Sequence, residues 1–306
     1  LPVCGKYQDW LLPNPAEFYC CLFRAMGRLA AWDKLGRYDA YFGEPCPVFD
    51  EEQYIAYCTP GRRDQTLRMK QITEEAVFGM LDTGIDYLMN VVRNMMPSDM
   101  LNLVALKRIQ KELSEMSPWF ADMSEYYQGN NCNFNAAMHQ NLQADNAFFW
   151  RDEYGDLECG VLDWGGFTRA PFCQNFLGCL SGTDIDVMMA HEEGIVRCFR
   201  DEYHRCGGPY LEVEDMLERY HLAFITMVYN CCTWIERDIY KTTKKEDIAS
   251  WSGVLDDRFQ ANFRVRCRSM TVINAWTYYH RRGSYFKDLF DKWSKGRGKR
   301  YLTTYA

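Results

Sequence analysis

Four residues between positions 139 and 163 have the types and spacing to do chemistry around a hard cation. His139 stands two residues before Asn141, Asn146 follows five residues later, and Asp163 opens the run Asp163-Trp164-Gly165-Gly166. Side-chain amide and carboxylate oxygens are ligands that a hard cation such as Mg²⁺ accepts, and Asn146 and Asp163 carry such oxygens. Asn141 cannot serve as a base, because an amide has no basic lone pair near neutral pH. Trp150, Trp164 and Phe167 fall in the same stretch and would line a pocket formed there.

These residues need elements to hold them. AFFWRDEYGDLECGVLDW carries two apolar runs around the turn Tyr154-Gly155-Asp156, a β-hairpin signature. The preceding QGNNCNFN reads as a polar loop, and after Asp163 the sequence returns to helical periodicity. Upstream, Phe18, Leu22, Ala25, Met26 and Leu29 make a helical stripe over residues 17–34, behind an extended arm (1–16) closed by Pro13 and Pro15. Residues 43–60 read as loop and 68–95 as helix, with Ile72, Ala76, Met80 and Ile85 near one face. Ser98 is the expected N-cap of a helix through Met116, and Ser117-Pro118 opens another helical turn towards Tyr127. A capping box over residues 183–186 precedes a helix that Gly207-Gly208-Pro209 stops. Helical segments near 212–241, 252–281 and 284–294 complete a mainly α (α+β) chain with one hairpin and no internal repeat.

The order of these pieces resembles the catalytic loop of the aminoglycoside phosphotransferase and choline kinase family, which has a protein-kinase-like fold. Members carry H-G-D-x-x-x-x-N, then a hairpin, then an aspartate in a D-[FWY]-[EGD] context. The resemblance implies that His139 organises the loop, that Asn141 occupies the position of the catalytic base, and that Asn146 and Asp163 would hold Mg²⁺ beside ATP. The departures are as informative. Asn141 replaces an aspartate, and Gln174 and Asn175 stand where a second acidic residue is expected. No G-x-G-x-x-G and no V-A-I-K-like strand precedes His139, and the short arm before Glu17 cannot build a sheet. The resemblance covers most of residues 17–290, with a long insert near 43–128. It implies a kinase-like C-lobe with its N-lobe lacking: one helical domain over 17–291, between the arm at 1–16 and a basic tail at 292–306.

Composition narrows the function classes. A net charge of −7 argues against general nucleic-acid binding. The exception is KWSKGRGKR at 292–300, which suits solvent, an acidic partner or anionic lipid. The 14 cysteines include no C-x-x-C, so a zinc site is not expected, and they read as small apolar residues in a reducing compartment. No apolar run reaches the length of a membrane span; residues 221–235 come nearest and are too short. The start at Leu1 suggests a processed or truncated product, with import into an organelle as one expectation. His191, Glu192 and Glu193 are expected on a solvated helix face, His204 and Cys206 at a helix end, and Met95, Met96 and Met100 in the core.

The expected function is therefore that of a degenerate kinase-like, non-catalytic protein with no cofactor. It would act as an interaction or structural subunit of a larger assembly, an organellar membrane complex such as a photosystem among the settings considered. A protein partner would cover the surface left by the absent N-lobe. The alternative is a phosphotransferase that uses Mg²⁺ and ATP on a hydroxyl acceptor. A third expectation is a metabolite-binding protein with a pocket lined by Trp150, Trp164 and Phe167.

Overall fold

The computed structural model describes residues 5, 7–46, 72–129 and 132–298, and the fold is mainly helical with two small antiparallel sheets. The helices are α1 (Pro15–Lys34), α2 (Asp39–Phe42), α3 (Glu74–Asp86), α4 (Leu103–Met116), α5 (Phe120–Gly129), α6 (Phe172–Leu180), α7 (Ile185–Arg205), α8 (Val213–Trp234), α9 (Lys245–Ala249), α10 (Asp257–Ala261), α11 (Phe263–Arg281) and α12 (Tyr285–Lys295). The strands are β1 (Asn135–His139), β2 (Ala147–Arg151), β3 (Leu157–Val161) and β4 (Phe167–Pro171). The chain divides into two compact units, Leu1–Arg63 with Ser124–Ala223 and Asp64–Met123 with Phe224–Ala306. The stretch expected as an insert is shared between them.

In the first unit α1 packs along α7. Pro15 at the first turn of α1 presets its backbone angle, and the face bearing Phe18, Leu22, Met26 and Leu29 is buried. At Gly27 an added Cβ would fall 2.7 Å from Phe199 O, so a side chain there would push the helices apart. Phe23, Phe172, Phe176 and Phe199 form the aromatic centre, with ring centroids 4.8 Å apart for Phe23–Phe176 and Phe172–Phe199. β2 and β3 form the expected hairpin, with Phe149 opposite Cys159. β1 and β4 form a second pair that propensity does not announce, with His139 opposite Phe167. NAAMH and FTRAP hold few β-branched residues; β1 is buried against α1 and α6, and β4 is held by its pairing with β1.

In the second unit, helices pack around Trp276, Leu81, Val272 and other fully buried residues. Tyr87 and Ser269 share a hydroxyl–hydroxyl hydrogen bond of 2.6 Å, and Gln110 donates to Phe78 O at 3.0 Å. Phe286 stacks between Phe224 and Tyr279, at 5.2 and 4.9 Å. Met95, Met96 and Met100 are buried, as expected of methionines near a helix junction.

Several local expectations change. The helix expected from Ser98 starts at Leu103, because Asn102 is extended and its side chain accepts from Val104 N and Ala105 N at 3.1 and 3.3 Å. Asp184 rather than Thr183 caps α7, accepting from Asp186 N at 2.8 Å. The described part of the N-terminal arm folds into a 3-10 turn at Asp9–Leu11, and buried Asp9 accepts from Tyr19 Oη at 2.8 Å. Glu192 leaves the solvated face: it is buried with His221, Oε1 to Nε2 3.3 Å. Burial lowers the His221 pKa to about 3, which favours the neutral ring beside Glu192. The predicted helix near 252–281 is broken at Asn262, which caps α11. The basic tail begins inside α12 with Trp293 buried, while 299–306 and most of the loop at 43–60 lie outside the described residues.

Candidate functional site

Two short pairings fold the loop into a site. The β1–β4 ladder ends at the His139–Phe167 pair, and the hairpin starts at the Ala147–Val161 pair. Between them Leu162 N donates to Asn146 O at 2.8 Å and fastens the two ends of the hairpin. This brings 139–146 alongside 162–167, two segments well separated in sequence.

His139 is buried at the centre. Its Nε2 donates to Leu162 O at 2.8 Å, and its Nδ1 accepts from Asn141 N at 3.3 Å. Both contacts together require the neutral tautomer with hydrogen on Nε2, and both ring nitrogens are spent on the loop's own backbone. Asn146 is buried too, and its Nδ2 donates to Asn141 O at 2.7 Å. That bond commits the amide nitrogen and leaves Oδ1 as the atom that can meet a cation. Gln143, which the motif did not single out, ties the loop to α6 through Gly178 O and Ser181 Oγ at 2.9 and 2.8 Å. Gly178 is required there: an added Cβ would meet Gln140 O at 2.6 Å. Asn175 is half-buried on the same helix, and its buried Nδ2 lacks a hydrogen-bond partner among the described residues.

Asn141 and Asp163 differ from these. Both are exposed, and neither side chain makes a hydrogen bond or ion pair among the described residues. Asp163 has φ 56° and ψ 58°, a left-handed conformation that is uncommon without a glycine and recurs at functional sites. The next residue helps to hold it. Trp164 Nε1 donates to Val161 O at 3.1 Å, and its ring sits edge-on to His139 and Phe167, at 5.6 and 5.4 Å.

The aromatic trio named from sequence is divided. Trp164 and Phe167 are in contact, but Trp150 pairs with Phe148 on the hairpin at 5.7 Å. Phe167 instead joins Tyr38, Tyr41 and Phe42, with centroids 5.3 to 5.7 Å away. Under this cluster lies an ion pair that sequence reasoning missed. Arg169 Nη2 meets fully buried Asp33 Oδ1 at 2.8 Å, Asp33 Oδ2 accepts from Ala137 N at 2.8 Å, and the Arg169 guanidinium covers the Phe42 ring at 4.4 Å. The two partners stand 136 positions apart, and no local signal links them.

Phe148 and Trp150 are exposed on the outer face of the hairpin, as are Leu162 and Trp164 beside it, at 40%, 46%, 37% and 46%. Phe148 lies flat over Gly160, the cross-strand residue without a side chain. On the inner face Phe149 packs edge-on against Phe18 at 4.8 Å, and Arg151 Nη2 meets Glu17 Oε2 at 2.9 Å.

No group of three or more His, Cys, Asp or Glu side chains among the described residues is placed to hold a metal ion, and no described helix is long and apolar enough to cross a membrane. No protein-family model, curated protein or solved structure matches the chain.

Proposed function

We propose that the chain is a degenerate kinase-like protein, similar to the C-lobe of the aminoglycoside phosphotransferase and choline kinase family, that serves as a non-catalytic interaction subunit of a larger assembly. The observation that carries this reading is the exposed apolar band of Phe148, Trp150, Leu162 and Trp164 beside the exposed amide of Asn141. Large aromatic side chains left in water are the residue types that anchor protein interfaces. Where a base would stand, the loop offers only an amide. The partner would seat on the hairpin's outer face.

The test is native-size analysis of the tagged full chain from its own host, beside a Phe148→Ser/Trp150→Ser variant. The wild type should migrate in an assembly well above 36 kDa and the variant as a free chain of unchanged melting temperature. A wild-type chain that runs alone would overturn the proposal.

One observation favours a second reading, an Mg-ATP-dependent phosphotransferase. Asp163 keeps an uncommitted carboxylate in a strained conformation, and Asn146 keeps an amide oxygen. Both are oxygens of the type a hard cation takes, and such an ion would neutralise charge on a nucleotide phosphate. Asp163 and Asn146 would hold that ion, and His139 would hold the loop. A rise in melting temperature with Mg-ATP that Asp163→Ala removes would favour this reading.

A further inference from the structure

The two edges of the β2–β3 hairpin are not alike. Leu162 N donates to Asn146 O at 2.8 Å before the first strand pair, and Asp152 N donates to Asp156 O at 3.0 Å after the last. Antiparallel ladders bond every second pair, so Phe148 and Trp150 turn their N–H and C=O groups towards β3. Phe149 and Arg151 turn theirs away from it. The β3 edge is occupied, because Arg24 on α1 reaches round with Nη2 to Leu157 O at 2.7 Å. On the β2 edge, no described residue bonds the outward main-chain groups of Phe149 or Arg151. Ala147 is fully buried, Phe149 half-buried and Arg151 exposed, so the open edge spans 149–151. An unpaired strand edge is a template for a further strand.

Charge decides what suits this edge. Residues 147–163 hold five acidic side chains and one basic one. The basic one, Arg151, is held by Glu17 at 2.9 Å, and Glu158 is held by Arg28 at 2.9 Å. Asp152, Glu153 and Asp156 then stand at the turn end of the hairpin and Asp163 at its other end, all at least partly exposed. Between them Phe148 and Trp150 present exposed rings. A second copy suits the edge poorly: paired antiparallel about Phe149, it would set Glu153 opposite Asp145. Given that the chain is an interaction subunit, we propose that the β2 edge takes an extended segment of the partner as a third, antiparallel strand. That segment is apolar at its centre and carries Lys or Arg at both ends. Its backbone exchanges about four hydrogen bonds with Phe149 and Arg151. Its apolar side chains pack beside Phe148 and Trp150, and its basic ends meet the acidic ends of the hairpin.

The probe is the end-capped peptide Lys-Lys-Val-Thr-Val-Thr-Val-Lys-Lys, added to the full chain and followed by calorimetry and by backbone amide hydrogen exchange. Expected is saturable binding that slows exchange at Phe149 and Arg151, while Phe148 and Trp150 are protected with or without peptide. The same peptide with Glu in place of Lys should bind at least about tenfold more weakly. N-methylation of one alternate set of peptide amides should abolish binding and of the other set leave it, because only one edge of the added strand faces β2. Equal tolerance of both sets, equal binding of the acidic peptide, or unmoved exchange at Phe149 and Arg151 would overturn the added strand. So would protection of these amides that rises with protein concentration alone, which would assign the edge to a second copy. The native-size comparison reports separately on the reading beneath. An assembly that dissolves in Phe148→Ser/Trp150→Ser, beside a peptide that fails, leaves the interaction subunit standing and removes only the strand addition.

Discussion

The loop of residues 139–167 has an anchored half and an open half, and they handle their polar atoms in opposite ways. His139 and Asn146 are buried and spend their hydrogen bonds on the loop's own backbone, at Leu162 O, Asn141 N and Asn141 O. Asn141 and Asp163 are exposed, with side chains engaged by none of the described residues. A buried polar group left unpaired costs far more than an exposed one, so the first pair is held in place by stability. The second pair contributes little to the fold and is available for contact with something outside it. The shape of the site and its chemistry are therefore separable, and substitutions can pull them apart.

The largest effect should come from beneath the anchored half. Asp33→Ala removes, at a fully buried position, the acceptor that Arg169 and the Ala137 amide share, leaving Arg169 with only Asp39 and Glu44 O. Breaking one side of a buried pair costs about 3–5 kcal/mol. Urea unfolding should show this loss, and Asp33→Ala/Arg169→Ala should recover part of it. A loss below about 1 kcal/mol would mean that β1 and β4 do not depend on the pair.

His139→Ala should follow, at about 2–3 kcal/mol, because two backbone groups lose their partners. Asn141→Ala should stay within about 0.5 kcal/mol, since only an exposed amide is removed. Equal losses at the two positions would erase the distinction between the halves.

How much of this was legible follows from how local each signal is. The hairpin was readable because two apolar runs flank Asp152-Glu153-Tyr154-Gly155, and Gly155 supplies the left-handed turn residue, φ 87°. His139, Asn141, Asn146 and Asp163 could be singled out because their motif fits within 25 residues. The β1–β4 pair could not, because its strands are short, poor in β-branched residues and separated by the whole loop. Asp33–Arg169 was missed for the same reason, and Glu192–His221 because it joins two different helices, which no helical period reports. Periodicity also misplaced Glu192, because the 191–193 run carries three polar residues and only the packing of α8 turns the middle one inward. The outer face of the hairpin was misread in kind. Alternation shows that Phe148 and Trp150 share a face, but not which face α1 covers.

Asp9 offers a pH test of the anchored interior. Burial is the main cause that raises its pKa from 3.8 to about 6, against hydrogen bonds from Tyr19 and the Asp184 amide that lower it. With a folded pKa above the unfolded one, the native state holds an extra proton between about pH 4 and 6. That carboxyl group therefore contributes stability in acid and loses it as pH rises through 6, by about 2–3 kcal/mol in all. Asp9→Asn should be the more stable chain at pH 8 by a similar amount, with the difference vanishing near pH 4. A difference independent of pH would show that Asp9 does not titrate in this range.

The smallest change in stability, and the sharpest test of the open half, belongs to Asn141→Asp. The position is exposed, so the folded chain should shift by less than about 0.5 kcal/mol. What changes is the charge beside Asn146 and Asp163, from one carboxylate to two. A hard divalent cation gains from each added anionic ligand, so millimolar Mg²⁺ should raise the melting temperature of the variant more than that of the wild type. At a Mg²⁺ concentration equal to Kd the gain is RT ln 2, about 0.4 kcal/mol, which a careful thermal scan resolves. If the loop keeps only the shape of a phosphotransferase site, adding ATP to Mg²⁺ should bring no further rise in either chain. A further rise with ATP in the variant alone would mean that Asn141 is the one barrier to nucleotide binding. A rise in both would mean that Asn146 and Asp163 already bind Mg-ATP, and the interaction-subunit reading would give way to the enzyme.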